Sequence, residues 1–364
     1  MMTLPIKPLA ALPPDPRIAA LPKADLHVHA ETSARLDRVL ARRAGRASFD
    51  WHAWAARLMR EQPAGMARLA GMGAGMALPD ELDALPAHFI ARIADLLEEA
   101  AADGAVLVEV RFGRETVTRP DFMALFREAE RQVRARYPRL RAEAISTLVI
   151  SAPPETAERL LDACLRAARE GLAGIDLLPD PYATEADPAH WAAANGWAER
   201  ARDAGLGITT HAAEFSTANL AAALRVPGVG RIGHAVYAAR DPRLLDLLAA
   251  SGVAVECCLS CNVVLGAVPS YEAHPIRRLL AAGVPVTLNG DDPVRVGTTI
   301  GREYAVAAAL GFTPAELMAF TRNAVRASFA PTARRAALLA ELDAWEQDSA
   351  EDTAENTQAA SPRG

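Results

Sequence analysis

The feature that most constrains this chain is a periodic return of short apolar runs, with helix-like stretches filling the gaps between them. The runs are Ala24–Ala30, Ala105–Phe112, Ala142–Ile150, Gly174–Leu178, Gly207–Ala213, Arg231–Val236, Ala254–Leu259 and Pro285–Asn289. Eight strands over about 265 residues give roughly 33 residues per unit, the size of one strand–helix–strand repeat. Most runs are apolar on both faces, as strands of a parallel sheet covered by helices must be. Pro153-Pro154-Glu155-Thr156 opens a helical stretch that continues to Gly171, with proline at its start and glycine at its end. The pattern predicts an α/β fold, a (β/α)8 TIM barrel. An open doubly wound sheet is the alternative, and the first strand lacks the G-x-G-x-x-G of its dinucleotide-binding form.

Two stretches depart from the period. About 75 residues separate the first two strands, where one crossover helix would suffice. This insertion, about residues 32–100, holds Trp51-His52-Ala53-Trp54 and a Gly/Met-rich run from Gly65 to Met76. An insertion after strand one lies on the face where barrels keep their active sites, so it is expected to form a helical lid. Residues 1–346 read as one barrel domain. Residues 347–364 are acidic and lack an apolar period, which predicts a disordered tail.

Composition narrows the class of partner. Net charge is −6, from 39 Lys+Arg against 45 Asp+Glu, which disfavours a chain that coats nucleic acid or an anionic membrane. No run is long and apolar enough to span a bilayer, and prolines occupy the place of a signal peptide's apolar core. Cys257, Cys258 and Cys261 are too bunched for a disulfide framework. The expectation is a cytoplasmic protein acting on a small molecule, with no nucleic-acid or membrane partner and an oligomeric state that the sequence leaves open.

The chemistry gathers at strand ends. The first strand ends His27-Val28-His29, and residues i and i+2 of a strand share a face. Strand five ends Thr210-His211-Ala212-Ala213-Glu214, strand six ends Gly233-His234, and strand eight leads into Asn289-Gly290-Asp291-Asp292-Pro293. In a barrel these ends converge on one mouth. Three neutral imidazoles and a carboxylate suit Zn²⁺, one per chain, or another borderline ion such as Fe²⁺ or Co²⁺. The expected ligands are His27, His29, His211 and Asp291. A water would complete such a site, its pKa brought from 15.7 toward about 7. His234 is left as a base for that water, Glu214 as a proton donor to substrate, and Asp292 as a group facing the ligand.

These stretches, with Leu21-Pro22-Lys23-Ala24-Asp25-Leu26 before the first histidine and His274-Pro275-Ile276-Arg277-Arg278 further on, resemble the adenosine and AMP deaminase family of metal-dependent amidohydrolases. The resemblance runs from about Leu21 to Ala344 and implies a (β/α)8 barrel. It implies zinc on His27, His29, His211 and Asp291, and Glu214 as donor to purine N1. His234 would orient and deprotonate the water, and Asp292 would bond purine N7. The implied reaction is hydrolytic deamination of adenosine or an adenosine-like nucleoside, with the 6-amino group replaced by oxo and ammonia released. His29 and Glu31 are carried with Asp292 as substrate-binding positions.

Some positions blur the substrate. Glu31 stands where adenosine deaminases have the Asp of an Asp-Gly pair and resembles the adenine deaminase branch, whereas Gly233 resembles the adenosine branch. Aligned without gaps, Pro179 falls on a glycine whose N–H donates to purine N3, and proline has no N–H. That loss, about 1–3 kcal/mol, keeps adenine or a 5′-modified adenosine as alternative substrates. A mononuclear amidohydrolase acting on an amide or ester is the remaining enzyme reading, since residues 148–180 hold no lysine for a bridged metal pair. Cys258-Leu259-Ser260-Cys261 and His29-Ala30-Glu31 imitate a cytidine-type zinc signature. They lie more than half the chain apart, so packing is the expected role of these cysteines. Glu109 and Arg111 are expected to pair with each other, His274 to cap a helix or support the site, and His52, His88 and His190 to be ordinary helical residues.

Overall fold

In the computed structural model, which describes residues 15–47, 49–73, 85–113 and 115–359 and gives backbone alone for 349–359, the apolar runs form one parallel sheet. The strands are β1 (Lys23–His29), β2 (Ala105–Phe112), β3 (Arg141–Val149), β4 (Gly174–Leu178), β5 (Gly207–Ala212), β6 (Val229–His234), β7 (Ala254–Cys257) and β8 (Val286–Leu288). They neighbour one another in chain order, every ladder parallel. Each crossover carries at least one helix, among them Pro86–Ala102, Phe122–Arg134, Pro154–Ala168, Pro188–Asp203 and Pro242–Ser251. Several of these start on proline, whose fixed φ and missing N–H suit the first helical turn. This is the (β/α)8 barrel that the period predicts.

The seam between β8 and β1 closes by a different device. One bridge, Val28 to Asp291, joins the strands. Asp291 N donates to His27 O at 2.6 Å and His29 N to Asp291 O at 2.9 Å. Side chains complete the seam. Asn289 Oδ1 accepts from Leu26 N at 2.9 Å, and Asp25 Oδ2 accepts from Gly290 N at 3.1 Å. The seam that shuts the barrel is thus the one that carries His27, His29 and Asp291.

The opposite end is plugged by Phe329. Its ring lies where a Cβ on Gly174 or Gly207 would go, 2.5 Å and 2.2 Å from those positions. The Arg231 guanidinium stacks on the same ring at 3.6 Å. Glycine at both strand starts is a packing requirement, because any larger residue would displace the aromatic plug.

The insertion after β1 is helical over Ala30–Ser33, Leu36–Arg43, Trp51–Glu61 and Met66–Gly73; its residues 74–84 lie outside the described part. Ala55, Leu58 and Met72 pack with Cys258, Cys261, Val264 and Leu265 of the segment after β7. Backbone contact is close at two glycines with positive φ. A Cβ on Gly266 would lie 2.4 Å from Ala64 Cβ, and one on Gly297 would lie 2.7 Å from His52 Cα. Arg68 ties the insertion to the rim through Val264 O at 3.0 Å.

The chain divides into two compact units after Phe329, the second beginning at Ala330. The second unit holds the helix Thr332–Ala359. No helix among the described residues is long and apolar enough to cross a membrane.

Candidate metal and substrate site

Strand alternation turns Asp25, His27 and His29 of β1 toward the barrel interior. His27 Nε2 lies 3.2 Å from His29 Nε2 and 3.1 Å from His211 Nε2 at the end of β5. Asp291 Oδ1 is 3.5 Å from His29 Nε2 and 3.6 Å from His27 Nε2. His234 Nε2 faces Asp291 Oδ2 at 3.8 Å and Glu214 Oε2 at 3.7 Å. Six expected site residues from four strand ends therefore meet in one place. Asp292 is next to them, its Oδ1 accepting from Thr32 Oγ1. Glu31 sits at the rim instead, where its Oε1 accepts from Gly113 N at 2.6 Å and ties the loop after β1 to the end of β2. Pro179 directly follows β4 and is buried, and Tyr182 beyond it stacks on Phe215 with ring centroids 4.7 Å apart.

Backbone strain marks the same strand ends. Among the described residues, five non-glycines have positive φ, and Ala213, His234, Ala235 and Asp291 are four of them. Such conformations cost about 1–3 kcal/mol each and persist where the surroundings over-determine them. Here the neighbouring ladders do so, and the strain aims His234 and Asp291 inward. Gly233 has a separate reason. A Cβ there would stand 2.9 Å from His27 Cε1, so only glycine leaves room for that imidazole.

A ring of buried charges holds the histidines. His27 Nδ1–H donates to Glu256 Oε2 of β7 at 2.8 Å, and His211 Nδ1–H donates to Asp176 Oδ1 of β4 at 3.1 Å. With Nδ1 protonated, both Nε2 atoms present lone pairs to the centre. Arg111 bridges the two acids, reaching Asp176 Oδ2 at 3.2 Å and Glu256 Oε2, and its Nη1 lies 3.0 Å from His27 Nε2. Arg231 links Glu256 Oε1 and Glu109 Oε2, each at 2.6 Å. Glu109 and Arg111, expected to pair with each other, are thus partnered elsewhere. They are two residues apart on one strand, and each meets acids that tertiary folding brings from other strands.

The donor set fits a divalent cation. The Nε2 atoms of His27, His29 and His211 lie within 4.8 Å of one another, close enough to share one cation. Burial holds His29 neutral, its pKa brought down to about 3, and keeps His27 and His234 well below the usual range. Burial, then the adjacent Asp292 and Glu214, pushes Asp291 upward, an excess of negative charge that a metal ion would relieve. Burial and the Asp292 charge lift Glu214 to about 8, so at neutral pH it carries a proton to give.

Sequence reasoning missed Asp176, Glu256 and Asn262. The available signal was an acid inside an apolar strand, as in Gly174-Ile175-Asp176-Leu177 and Ala254-Val255-Glu256-Cys257, because a buried charge must have a partner. Asn262 Nδ2 donates to His234 Nδ1 at 3.2 Å and approaches Glu214 Oε1 at 3.5 Å. The cysteines pack as expected, and Cys261 in addition donates to Asp291. His274 both accepts from Ile276 N at a helix start and bonds Asn262. His52, His88 and His190 lie on helices.

These histidines and acids thus stand together at the mouth of a parallel eight-stranded barrel. The chain belongs to the adenosine deaminase family, whose model matches residues 85–345; that span holds His211, Glu214, His234, Asp291 and Asp292, and β1 precedes it. An adenine deaminase of Rhizobium leguminosarum bv. trifolii is 47% identical over 144 residues. The match takes in 39% of this chain and 45% of that protein, so it spans less than half of such a relative. Among solved structures, the Arabidopsis protein ADAL complexed with IMP is 23% identical, with a TM-score of 0.72 over 91% of this chain and 98% of that one. An adenine deaminase from Arthrobacter aurescens is 24% identical, with a TM-score of 0.71 over 90% and 99%.

Proposed function

We propose that this protein is a divalent-metal-dependent hydrolase that deaminates a 6-aminopurine: water adds at C6, the C6–N bond breaks and ammonia leaves. The observation that carries this reading is the meeting of the Nε2 atoms of His27, His29 and His211 with Asp291, and with Glu214 beside them. His27, His29, His211 and Asp291 would hold the ion, zinc being the ion this donor set suits best. When bound, such an ion brings the pKa of a coordinated water toward about 7.

The chain's own residues supply the remaining chemistry. Glu214 gives its proton to a ring nitrogen next to C6, drawing electrons from that carbon. His234 faces the same point and holds the attacking oxygen. Asp292, lifted by burial to about 6 and bonded to Thr32, accepts from an N–H donor on the substrate's far edge. Between nucleoside and free base, the adenine deaminase relatives support adenine, with adenosine or an adenosine-like nucleoside as the second reading.

The test is a steady-state screen of adenine, adenosine, AMP and N6-methylated AMP, following ammonia, on protein assayed for metal content. About one zinc per chain with adenine turned over fastest supports the reading. Turnover of amides or esters without ammonia from any aminopurine would overturn it.

A further inference from the structure

A chain of three hydrogen bonds leads from a backbone amide to His234, and its directions are fixed at the first link. Ile276 N–H can only donate, and it does so to His274 Nδ1 at 3.2 Å. His274 is buried and neutral, burial holding its pKa near about 3, so its one proton must be on Nε2. Nε2–H therefore donates to the atom it faces, Asn262 Oδ1 at 3.2 Å. This orients the Asn262 amide, leaving its Nδ2 donors for His234 Nδ1 at 3.2 Å and Glu214 Oε1 at 3.5 Å. A neutral imidazole that accepts at Nδ1 carries its proton on Nε2. That Nε2 is the atom turned to the mouth, 3.7 Å from Glu214 Oε2 and 3.8 Å from Asp291 Oδ2.

We infer that His274 is a positioning residue that acts through Asn262 to lock His234 in its Nε2–H tautomer. His234 accordingly meets the reacting oxygen as a hydrogen-bond donor rather than as the proton acceptor its motif suggests. His234's role toward the reacting oxygen rests on the proposed function; its tautomer does not. Burial of all three side chains excludes water from the relay, and backbone geometry sets its direction at no reorganisation cost during turnover. Asn262 gives the relay a second effect, since the same amide steadies Glu214.

The direct measurement is ¹⁵N NMR of the zinc-loaded full chain with labelled histidine. His234 should show a bare Nδ1 and a protonated Nε2, whether or not any purine is turned over. His274→Gln, whose amide can still donate to Asn262 Oδ1, should keep that single pattern and most of kcat. His274→Leu breaks the relay; the second His234 tautomer should appear, and kcat should fall roughly ten- to a hundredfold with KM little changed. A protonated Nδ1 on His234 in the parent protein, or an unaltered pattern in His274→Leu, would overturn the inference. A parent protein with the expected pattern but no ammonia from any aminopurine would leave the tautomer relay standing and remove the proposed function.

Discussion

Glu214 shows how one residue acquires a role from its surroundings. A carboxyl in water is ionised at neutral pH, but burial and the Asp292 charge lift this one to about 8. Below that pH it can give a proton; above it the proton is gone. Turnover should accordingly decline as pH rises through about 8, read as the alkaline limb of the kcat profile. Glu214→Gln keeps the shape and removes the proton. Ammonia release should drop about 10²–10⁴-fold while metal content, measured by atomic absorption, stays at the parent level. Glu256 works at one remove, by holding the His27 Nδ1 proton at 2.8 Å. Glu256→Gln should weaken metal binding about 10–100-fold in a chelator competition. An unchanged affinity would mean that His27 is oriented by Arg111 alone.

At the scale of elements, the site depends on close approach between pieces of backbone. The insertion after β1 reaches the rim at Gly266 and Gly297, both with φ in the left-handed region. At Gly266 a methyl group would collide with Ala64 at 2.4 Å. Gly266→Ala should lift the insertion off the segment after β7 and expose Leu58 and Met72. Faster proteolysis of the insertion, with the rest of the chain protected, is the expected outcome. The helices around the barrel were legible in the sequence because prolines and glycines punctuate them. The insertion's docking was not, since a glycine needed for contact looks the same as a glycine needed for a turn.

For the whole molecule, the floor decides whether the mouth can exist. Phe329 fills the barrel's lower end against Gly174, Gly207 and Arg231. Gly207→Ala places a methyl 2.2 Å from that ring, an overpacking that should cost about 1–3 kcal/mol in urea denaturation. The charges above the floor are equally global: Glu109, Arg231, Glu256, Arg111 and Asp176 come from four different strands and are all buried. Breaking one member of such a network strands its partner without water.

Local order was written in the chain: the strand period, the turn glycines, and the H-x-H that puts two imidazoles on one face. Period and alternation depend only on neighbours along the sequence, so they can be read there, and the convergence of strand ends follows from barrel closure. Which acid holds which histidine, why residue 233 must lack a side chain and which nitrogen of His234 carries the proton were decided by tertiary structure. Those facts depend on distances between residues remote in sequence, and on the burial that lets a single backbone amide set the direction of a hydrogen-bond chain.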